Sequence, residues 1–280
     1  MSYKSLLVVM DNAVGGAAKL EYAASLAANI GASMVGIYAG YIPTIPSYVS
    51  AQVPASFYEA QRETWQEENG RAADDFKKAC DKHGVAGEWR DLTPGGEILT
   101  SVIAMHARYA DLVVLSQSDD ERDIPLIGEI AASLPMDCGR PVLVVPYAGT
   151  FSAPPKRVLI GWDASRESTR AIHDALPLLV SADKVTVVTV NPEQGTEAHG
   201  QIPGADIALT LARHNVTVEV KTIYEKKVGA GDAILSCAAD EGADLIVMGS
   251  YGHSRVREMI LGGATRTMLS SMTAPVLMSH

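Results

Sequence analysis

The stretch that decides the fold runs from residue 244 to residue 252 and reads DLIVMGSYG. Its apolar part leads directly into Gly249 and Gly252, and after nine further residues Gly262 begins the motif GGAT. A buried strand, a glycine-rich loop and a helix start form a common phosphate site in α/β proteins, because backbone N–H groups then face the anion. The spacing G-x2-G-x9-G therefore predicts a strand, a phosphate-binding loop and a helix.

Composition restricts the class of protein. The 280 residues allow two domains of ordinary size or one large domain. The chain carries 33 acidic and 23 basic residues, for a net charge of −10, without a long basic tract, which argues against a nucleic-acid partner. No apolar run approaches the roughly 18 residues that span a bilayer, and the run 6–10 is too short for a signal-peptide core. We expect a cytoplasmic protein without a membrane partner.

Metal and redox chemistry find little support in the sequence. The three cysteines, Cys80, Cys138 and Cys237, are scattered and show no metal-ligand spacing, so we expect them to be small core residues. The histidines are not spaced as metal ligands either. No metal site is predicted.

An internal repeat organises the chain. Three pairs of segments match: KSLLVVMD (4–11) with KRVLIGWD (156–163), ADLVVL (110–115) with ADLIVM (243–248), and PVLVV (141–145) with PVLM (275–278). Two copies of one domain explain these matches best. We predict domains at 1–147 and 156–280, joined by a linker rich in glycine and proline.

Each copy alternates apolar strand segments with helical segments. The strands predicted in the second copy are 157–162, 184–190, 217–223, 245–248 and 276–278. The helix 168–179 carries Ala171, Ile172, Ala175 and Leu179 on one face, which is typical of a core-facing stripe. Such alternation predicts a mainly parallel five-stranded sheet in each copy, with helices on both faces.

The first copy contains an insertion of 19 residues, near 41–69. Residues 41–56 are rich in proline, serine and tyrosine and are predicted to form a surface loop, and residues 57–80 a long charged helix. The loop is either a neutral insertion, because surface loops accept extra length at little cost, or a lid or partner surface.

Three predicted strands of the second copy end at residues suited to a ligand. In doubly wound sheets the ligand lies beyond the carboxyl ends of the strands, where the strand order reverses. Asp163 is suited to accept a hydrogen bond from an adenine amino group or a ribose, and the backbone at Val190 to meet the edge of the base. Glycines at 249 and 252 let the backbone approach ribose and phosphates. Alternatively, Asp163 caps the helix that follows it.

The opening DASRES (163–168) and the loop 249–265 resemble those of the universal stress protein family, and the resemblance covers both halves. It implies two tandem flavodoxin-like (Rossmann-like) doubly wound domains. It also implies that the last strands, at 141–145 and 275–278, pair within a chain or between chains, which predicts a pseudo-dimer within the chain and a homodimer.

The same resemblance implies that the second half binds ATP, with ADP or AMP as alternatives, and that binding is regulatory in a stress response. The nucleotide contacts that it implies are Asp163, Val190, Met248, Gly249, Gly252, Gly262, Gly263, Ala264 and Thr265. The chain departs from the family pattern at Gly263, which stands where a serine or threonine is usual. Thr265 supplies the hydroxyl instead, or the backbone N–H groups suffice; otherwise Thr265 is an ordinary capping residue.

The first half is predicted to have lost the site. The segment SQSDDE (116–121) replaces the glycine loop, and its carboxylates would repel a triphosphate. Asp11 still ends the first strand, where we interpret it as a turn or cap residue. We therefore predict one nucleotide site per chain.

Other chemistries lack their motifs. The chain contains no G-x4-G-K-[ST] phosphate loop, no G-x-G-x-x-G after the first strand and no G-x-S-x-G nucleophile elbow. No catalytic residue is predicted, and the protein is at most a weak ATPase. Three hypotheses remain: a regulatory ATP-binding stress protein, an interaction scaffold of the same fold that binds no nucleotide, and a slow ATP hydrolase.

Overall fold

The computed structural model describes residues 2–40, 53–92, 99–119, 121–192, 202–251 and 263–280. The elements of the first half are β1 (Ser5–Met10), α1 (Gly16–Ile30), β2 (Ser33–Tyr38), α2 (Ala55–His83), β3 (Gly87–Arg90), α3 (Leu99–Ala107), β4 (Leu112–Ser116), α4 (Pro125–Asp137) and β5 (Val142–Val145). Those of the second half are β6 (Arg157–Gly161), α5 (Arg166–Leu179), β7 (Lys184–Val190), α6 (Ala205–Arg213), β8 (Val218–Ile223), α7 (Ala230–Glu241), β9 (Leu245–Gly249), α8 (Gly263–Ser271) and β10 (Val276–Ser279).

All ten strands belong to one sheet, with the order β3-β2-β1-β4-β5-β10-β9-β6-β7-β8. Strand pairs within each half are parallel, and each half has the order 3-2-1-4-5 of a doubly wound unit. The halves meet where β5 pairs antiparallel with β10, with Leu143 opposite Leu277. The predicted fold class is thereby confirmed, and the last strands pair within the chain.

Helices cover both faces of this sheet. The apolar core on one face receives residues from α1, α2, α5 and α6, and the core on the other receives residues from α3, α4, α7 and α8. The central strands β1, β4 and β9 are buried along nearly their whole length, as expected for parallel strands between two helical layers. The apolar stripe predicted on α5 is buried, at Ala171, Ile172, Ala175 and Leu179.

The insertion of the first half includes the longest helix, α2, with 29 residues. It begins two residues before its predicted start and ends three residues after its predicted end, at the left-handed Gly84. Residues 41–52 of the predicted loop lie outside the described residues. The three cysteines are buried and unpaired, as predicted. Among the described helices, none combines the length and the apolar character needed to cross a membrane.

Candidate functional site

A cavity of about 290 Å³ lies at the carboxyl edge of the second-half strands. It sits where the strand order reverses between β6 and β9, which is the usual ligand position in such sheets. Seven of the nine residues predicted from the sequence line it: Asp163, Val190, Met248, Gly249, Gly263, Ala264 and Thr265. The other two, Gly252 and Gly262, lie outside the described residues.

The cavity also has walls that sequence reasoning missed. Trp162, Val188, Ile234 and Tyr251 belong to its lining. Val188 precedes the predicted Val190 by two residues, and side chains two apart on a strand point to the same face, so this one was detectable. Ile234 lies on α7, and its position over the strand ends depends on how that helix packs.

Asp163 stabilises the turn between β6 and α5. Its Oδ1 accepts hydrogen bonds from the Ser165 backbone N–H (3.0 Å) and from the Ser165 hydroxyl (2.6 Å). Ser165 is the N-cap of α5, and its Oγ accepts from the Ser168 N–H at 3.1 Å. The alternative that Asp163 itself caps α5 is therefore wrong: Asp163 orients the residue that does so. The Asp163 residue is exposed at the cavity rim.

Gly249 owes its lack of a side chain to packing within the protein. A Cβ atom at this position would lie 2.5 Å from the Ser168 nitrogen and 2.6 Å from the Glu167 carbonyl carbon. The end of β9 thus rests directly on the first turn of α5. The sequence assigned this glycine to close approach of a ligand, whereas the structure shows a close approach of helix and strand.

Two helix N-termini meet at the cavity. Ala230, the first residue of α7, and Gly263, the first residue of α8, both line it. The two helix starts touch, because a Cβ on Gly231 would lie 3.1 Å from the Ala264 Cα and 2.8 Å from the Thr267 Cβ. No side chain caps α7 at its N-cap residue, Gly229. The positive ends of both helix dipoles therefore face this side of the cavity and favour an anion, and Asp232 in the first turn of α7 offsets part of that charge.

Unfavourable backbone conformations surround the same cavity. Ala164, Asn191 and Tyr251 have positive φ angles of 59°, 46° and 62°, and they follow β6, β7 and β9. Asn191 is held there by two hydrogen bonds with the backbone of Glu225, at 2.7 and 2.8 Å. Residues other than glycine seldom adopt this conformation, and such strain concentrates at functional sites. The clustering marks this edge of the second half as the candidate site.

The equivalent place in the first half is closed. A space of only about 10 Å³ remains there, close to the volume that one water molecule needs. Val9 and Ile130 line it, at the positions that Gly161 and Ala264 occupy in the second half. The larger side chains fill the volume that is open in the second half.

The aspartate at the end of the first strand, Asp11, forms a buried ion pair. The Lys19 side chain is fully buried, and its Nζ lies 2.9 Å from Asp11 Oδ2 and also donates to the Val9 carbonyl. Asp11 Oδ1 accepts from the Ala13 N–H (3.1 Å) and from the Ser116 hydroxyl (3.1 Å). The interpretation of Asp11 as a turn residue was therefore incomplete. Lysines are rarely fully buried, so nothing in the sequence pointed to Lys19.

The acidic loop of the first half binds its own backbone. Asp123 accepts hydrogen bonds from the Asp119 N–H (2.8 Å) and from the Val14 N–H (3.1 Å), and Asp119 accepts from the Glu121 N–H (3.1 Å). Backbone donors that would be available to an anion are thus satisfied by carboxylates of the protein. The loop therefore opposes an anionic ligand in two ways: its carboxylates repel the ligand, and they already occupy the backbone donors.

Metal ligation has no visible basis in the part of the chain that the structure describes. There, no three or more His, Cys, Asp or Glu side chains are grouped so that they could hold a metal ion.

Comparison with known proteins places the second half. Residues 154–280 match the model of the Universal stress protein family. The match covers the second half, a little less than half of the chain. Every lining residue of the 290 Å³ cavity lies in the matched universal stress protein region.

Relatives show how far the likeness extends. A curated universal stress protein of Synechocystis is 28% identical over 123 residues, which cover 43% of this chain and 41% of that protein. The aligned part thus spans about two fifths of the relative's length. A universal stress protein from Archaeoglobus fulgidus shares the fold over 98% of this chain and 95% of its own, with a TM-score of 0.72 and 18% identity. Another universal stress protein, solved in complex with cAMP, covers 46% of this chain and 99% of its own at 21% identity and a TM-score of 0.35.

Proposed function

We propose that this universal stress protein binds an adenine nucleotide in the cavity of its second half and that occupancy regulates a cytoplasmic stress response. ATP is the first candidate ligand, with ADP or AMP as alternatives. One observation carries the proposal: the open cavity joins an exposed aspartate on one side to two helix N-termini on the other. Its counterpart in the first half is filled, which supports one site per chain.

The aspartate side of the cavity suits the nucleoside. Asp163 bonds to Ser165 through Oδ1 and is exposed at the cavity rim, and because each carboxylate oxygen accepts more than one hydrogen bond, it can also accept from ribose hydroxyls or an adenine amino group. Val188, Ile234 and Met248 supply apolar surface for the faces of a base. The volume of about 290 Å³ lies near the lower end of the range for ligand pockets, which suits a nucleoside better than a complete triphosphate.

The phosphates would extend toward the starts of α7 and α8. Helix N-termini attract anions through free N–H groups and through the helix dipole, and this needs no serine or threonine hydroxyl. Gly263 is the first residue of α8, and a Cβ there would meet no described atom within 4 Å. The departure of Gly263 from the family pattern is therefore compatible with phosphate binding through backbone groups.

The test is isothermal titration of the purified protein with ATP, ADP and AMP, with two variants of one position. Gly263→Glu places at α8 the kind of charge that Glu129 carries in the first half, and we expect ATP affinity to fall about tenfold or more, equal to about 1.4 kcal/mol. Gly263→Gln adds nearly the same volume without the charge, so it should retain most of the affinity. Because the effect is electrostatic, the difference between the two variants should shrink as salt is raised.

Two results would contradict the proposal. Absence of binding by the native protein at millimolar ATP would overturn it and leave the nucleotide-free scaffold as the leading hypothesis. Equal ATP affinities of the Glu and Gln variants would show that the phosphates do not bind at the α8 N-terminus. Native mass spectrometry of the same samples tests the predicted homodimer, which must use a surface other than β5 and β10, since these strands pair with each other.

A further inference from the structure

Tyr251 belongs both to the cavity and to the contact between the two halves. Its side chain is part of the cavity lining. Its hydroxyl donates a hydrogen bond of 2.7 Å to the backbone carbonyl of Ala132, which lies in α4 of the first half. A wall of the second-half site is thus tied to an element of the other half.

The backbone around Tyr251 is held firmly in place. Tyr251 has a φ of +62°, a conformation that bulky residues rarely adopt. The preceding residue, Ser250, is fully buried, and both its N–H (2.8 Å) and its hydroxyl (3.1 Å) donate to the Ser279 carbonyl. The His280 ring nitrogen Nδ1 lies 2.9 Å from the Ser250 carbonyl oxygen. With Ser250 anchored, the bond to Ala132 helps to fix where the Tyr251 ring lies.

A second contact joins the first half to α8, the helix whose first residue lines the cavity. Gln117, buried at the end of β4 in the first half, donates from Nε2 to the Leu269 carbonyl of α8 at 2.9 Å. Its Oε1 accepts from the Tyr147 N–H at 3.3 Å. Since α8 begins at the cavity, the first half contacts both the Tyr251 wall and the helix whose N-terminus faces the ligand space.

We propose that the first half, in which the space equivalent to the second-half cavity is filled, regulates the affinity of the second-half site, with Tyr251 as the positioning residue. The inference rests on the proposed adenine nucleotide site. A ligand that binds best when the Tyr251 ring is held by Ala132 must, by thermodynamic reciprocity, strengthen the contact between the halves when it binds. Ligand binding thereby stabilises α4, which lies outside the ligand pocket.

The experiment compares Tyr251→Phe with Tyr3→Phe. Tyr3 is a matched control, because its hydroxyl also crosses between the halves, to the Asp174 carbonyl of α5 at 2.5 Å, and neither Tyr3 nor Asp174 lines the cavity. Each variant removes one hydroxyl and keeps the ring. We expect ATP affinity to fall about fivefold in Tyr251→Phe, which corresponds to the usual net contribution of one hydrogen bond. In Tyr3→Phe the affinity should be unchanged.

Hydrogen exchange provides a readout that general loosening would not reproduce. Saturating ATP should slow amide exchange in α4 of the native protein and of Tyr3→Phe, because ligand and contact stabilise each other. In Tyr251→Phe, also at saturation, this protection of α4 should be lost. Protection of α7 and α8 should persist in all three proteins.

The outcomes separate the two proposals. If the native protein binds no adenine nucleotide, the proposed function fails and this inference fails with it. If the native protein binds ATP but Tyr251→Phe binds equally well and still protects α4, only the inference is overturned. Equal weakening in both variants also overturns it, since the control contact does not touch the cavity.

Discussion

The two halves of the sheet have the same strand order, yet one contains a cavity of about 290 Å³ where the other has about 10 Å³. The backbone frame is common, so the difference arises from side chains. Val9 replaces Gly161, and Ile130 replaces Ala264. A doubly wound unit can thus close its ligand site with a few apolar atoms while it keeps its architecture.

The two halves also differ in how they neutralise the aspartate at the end of their first strand. In the first half, Asp11 is paired with the buried Lys19, whereas the residue equivalent to Lys19 in the second half is Ala171. Asp163 bonds to Ser165 and remains exposed at the cavity rim, whereas Asp11 is buried in an ion pair with Lys19.

The largest effect should come from removing the two equivalent aspartates. Asp11→Ala leaves the Lys19 ammonium buried without its counter-ion, and we expect a loss of about 3–5 kcal/mol in the free energy of unfolding. Asp163→Ala removes hydrogen bonds to Ser165 at an exposed position, for a loss of about 1 kcal/mol. Urea unfolding measures both. Similar losses in the two variants would show that Lys19 does not depend on Asp11.

An exchange at the other equivalent pair should separate stability from binding. Ile130→Ala creates a void in the filled first half and should cost about 2–5 kcal/mol without changing nucleotide affinity. Ala264→Ile should instead abolish nucleotide binding by filling the cavity, with a strain cost of about 1–3 kcal/mol. Thermal unfolding and ATP titration of both variants test this. Retained binding in Ala264→Ile would show that the cavity is not the site.

A smaller effect should appear in acid, at the end of α7. Hydrogen bonds from Lys221 and Lys184 lower the pKa of Glu241 to about 2. Because this folded-state pKa lies below the unfolded value of about 4.3, the ion pairs contribute stability above that value, and the contribution is lost as pH falls toward 2. Glu241→Gln should therefore lower the urea midpoint slightly at about pH 7, and the difference should shrink as pH falls and vanish below about pH 2.

The control for Glu241 is its counterpart in the first half, Arg108. Arg108→Gln removes a charge that stays positive throughout this range. Its effect on the urea midpoint should therefore not follow the titration of a carboxylate. The prediction is wrong if Glu241→Gln shifts the midpoint equally at neutral and acidic pH. The effect is expected to be small because Glu241 and its lysines are near the surface, where water screens ion pairs.

Much of the fold was predictable from the sequence. The strands of the second half differ from their predicted bounds by one residue at most, because buried parallel strands are short apolar runs between polar or glycine-rich segments. Seven predicted site residues also came together, since the carboxyl ends of neighbouring parallel strands meet at one edge. These features depend on local pattern and on a rule shared by all doubly wound sheets.

Other features of the site could not be predicted. The packing role of Gly249 depends on where α5 lies, and the wall at Ile234 on where α7 lies. The burial of Lys19 contradicts the usual behaviour of lysine, and it is intelligible only beside Asp11. The bond from Tyr251 to Ala132 joins residues 119 positions apart, on different halves.

The sequence by itself determined the repeat, the alternation of strands and helices and the edge of the sheet at which a ligand site would form. Hydrophobic periodicity is a local property, and strand direction then dictates which ends meet. Only the tertiary structure decided that the ligand space at the strand ends is filled by side chains in the first half and open in the second, and that β5 and β10 pair within the chain. Cavity volume and strand partners depend on how side chains from distant elements pack, and close packing leaves no room for both a ligand and an extra isoleucine.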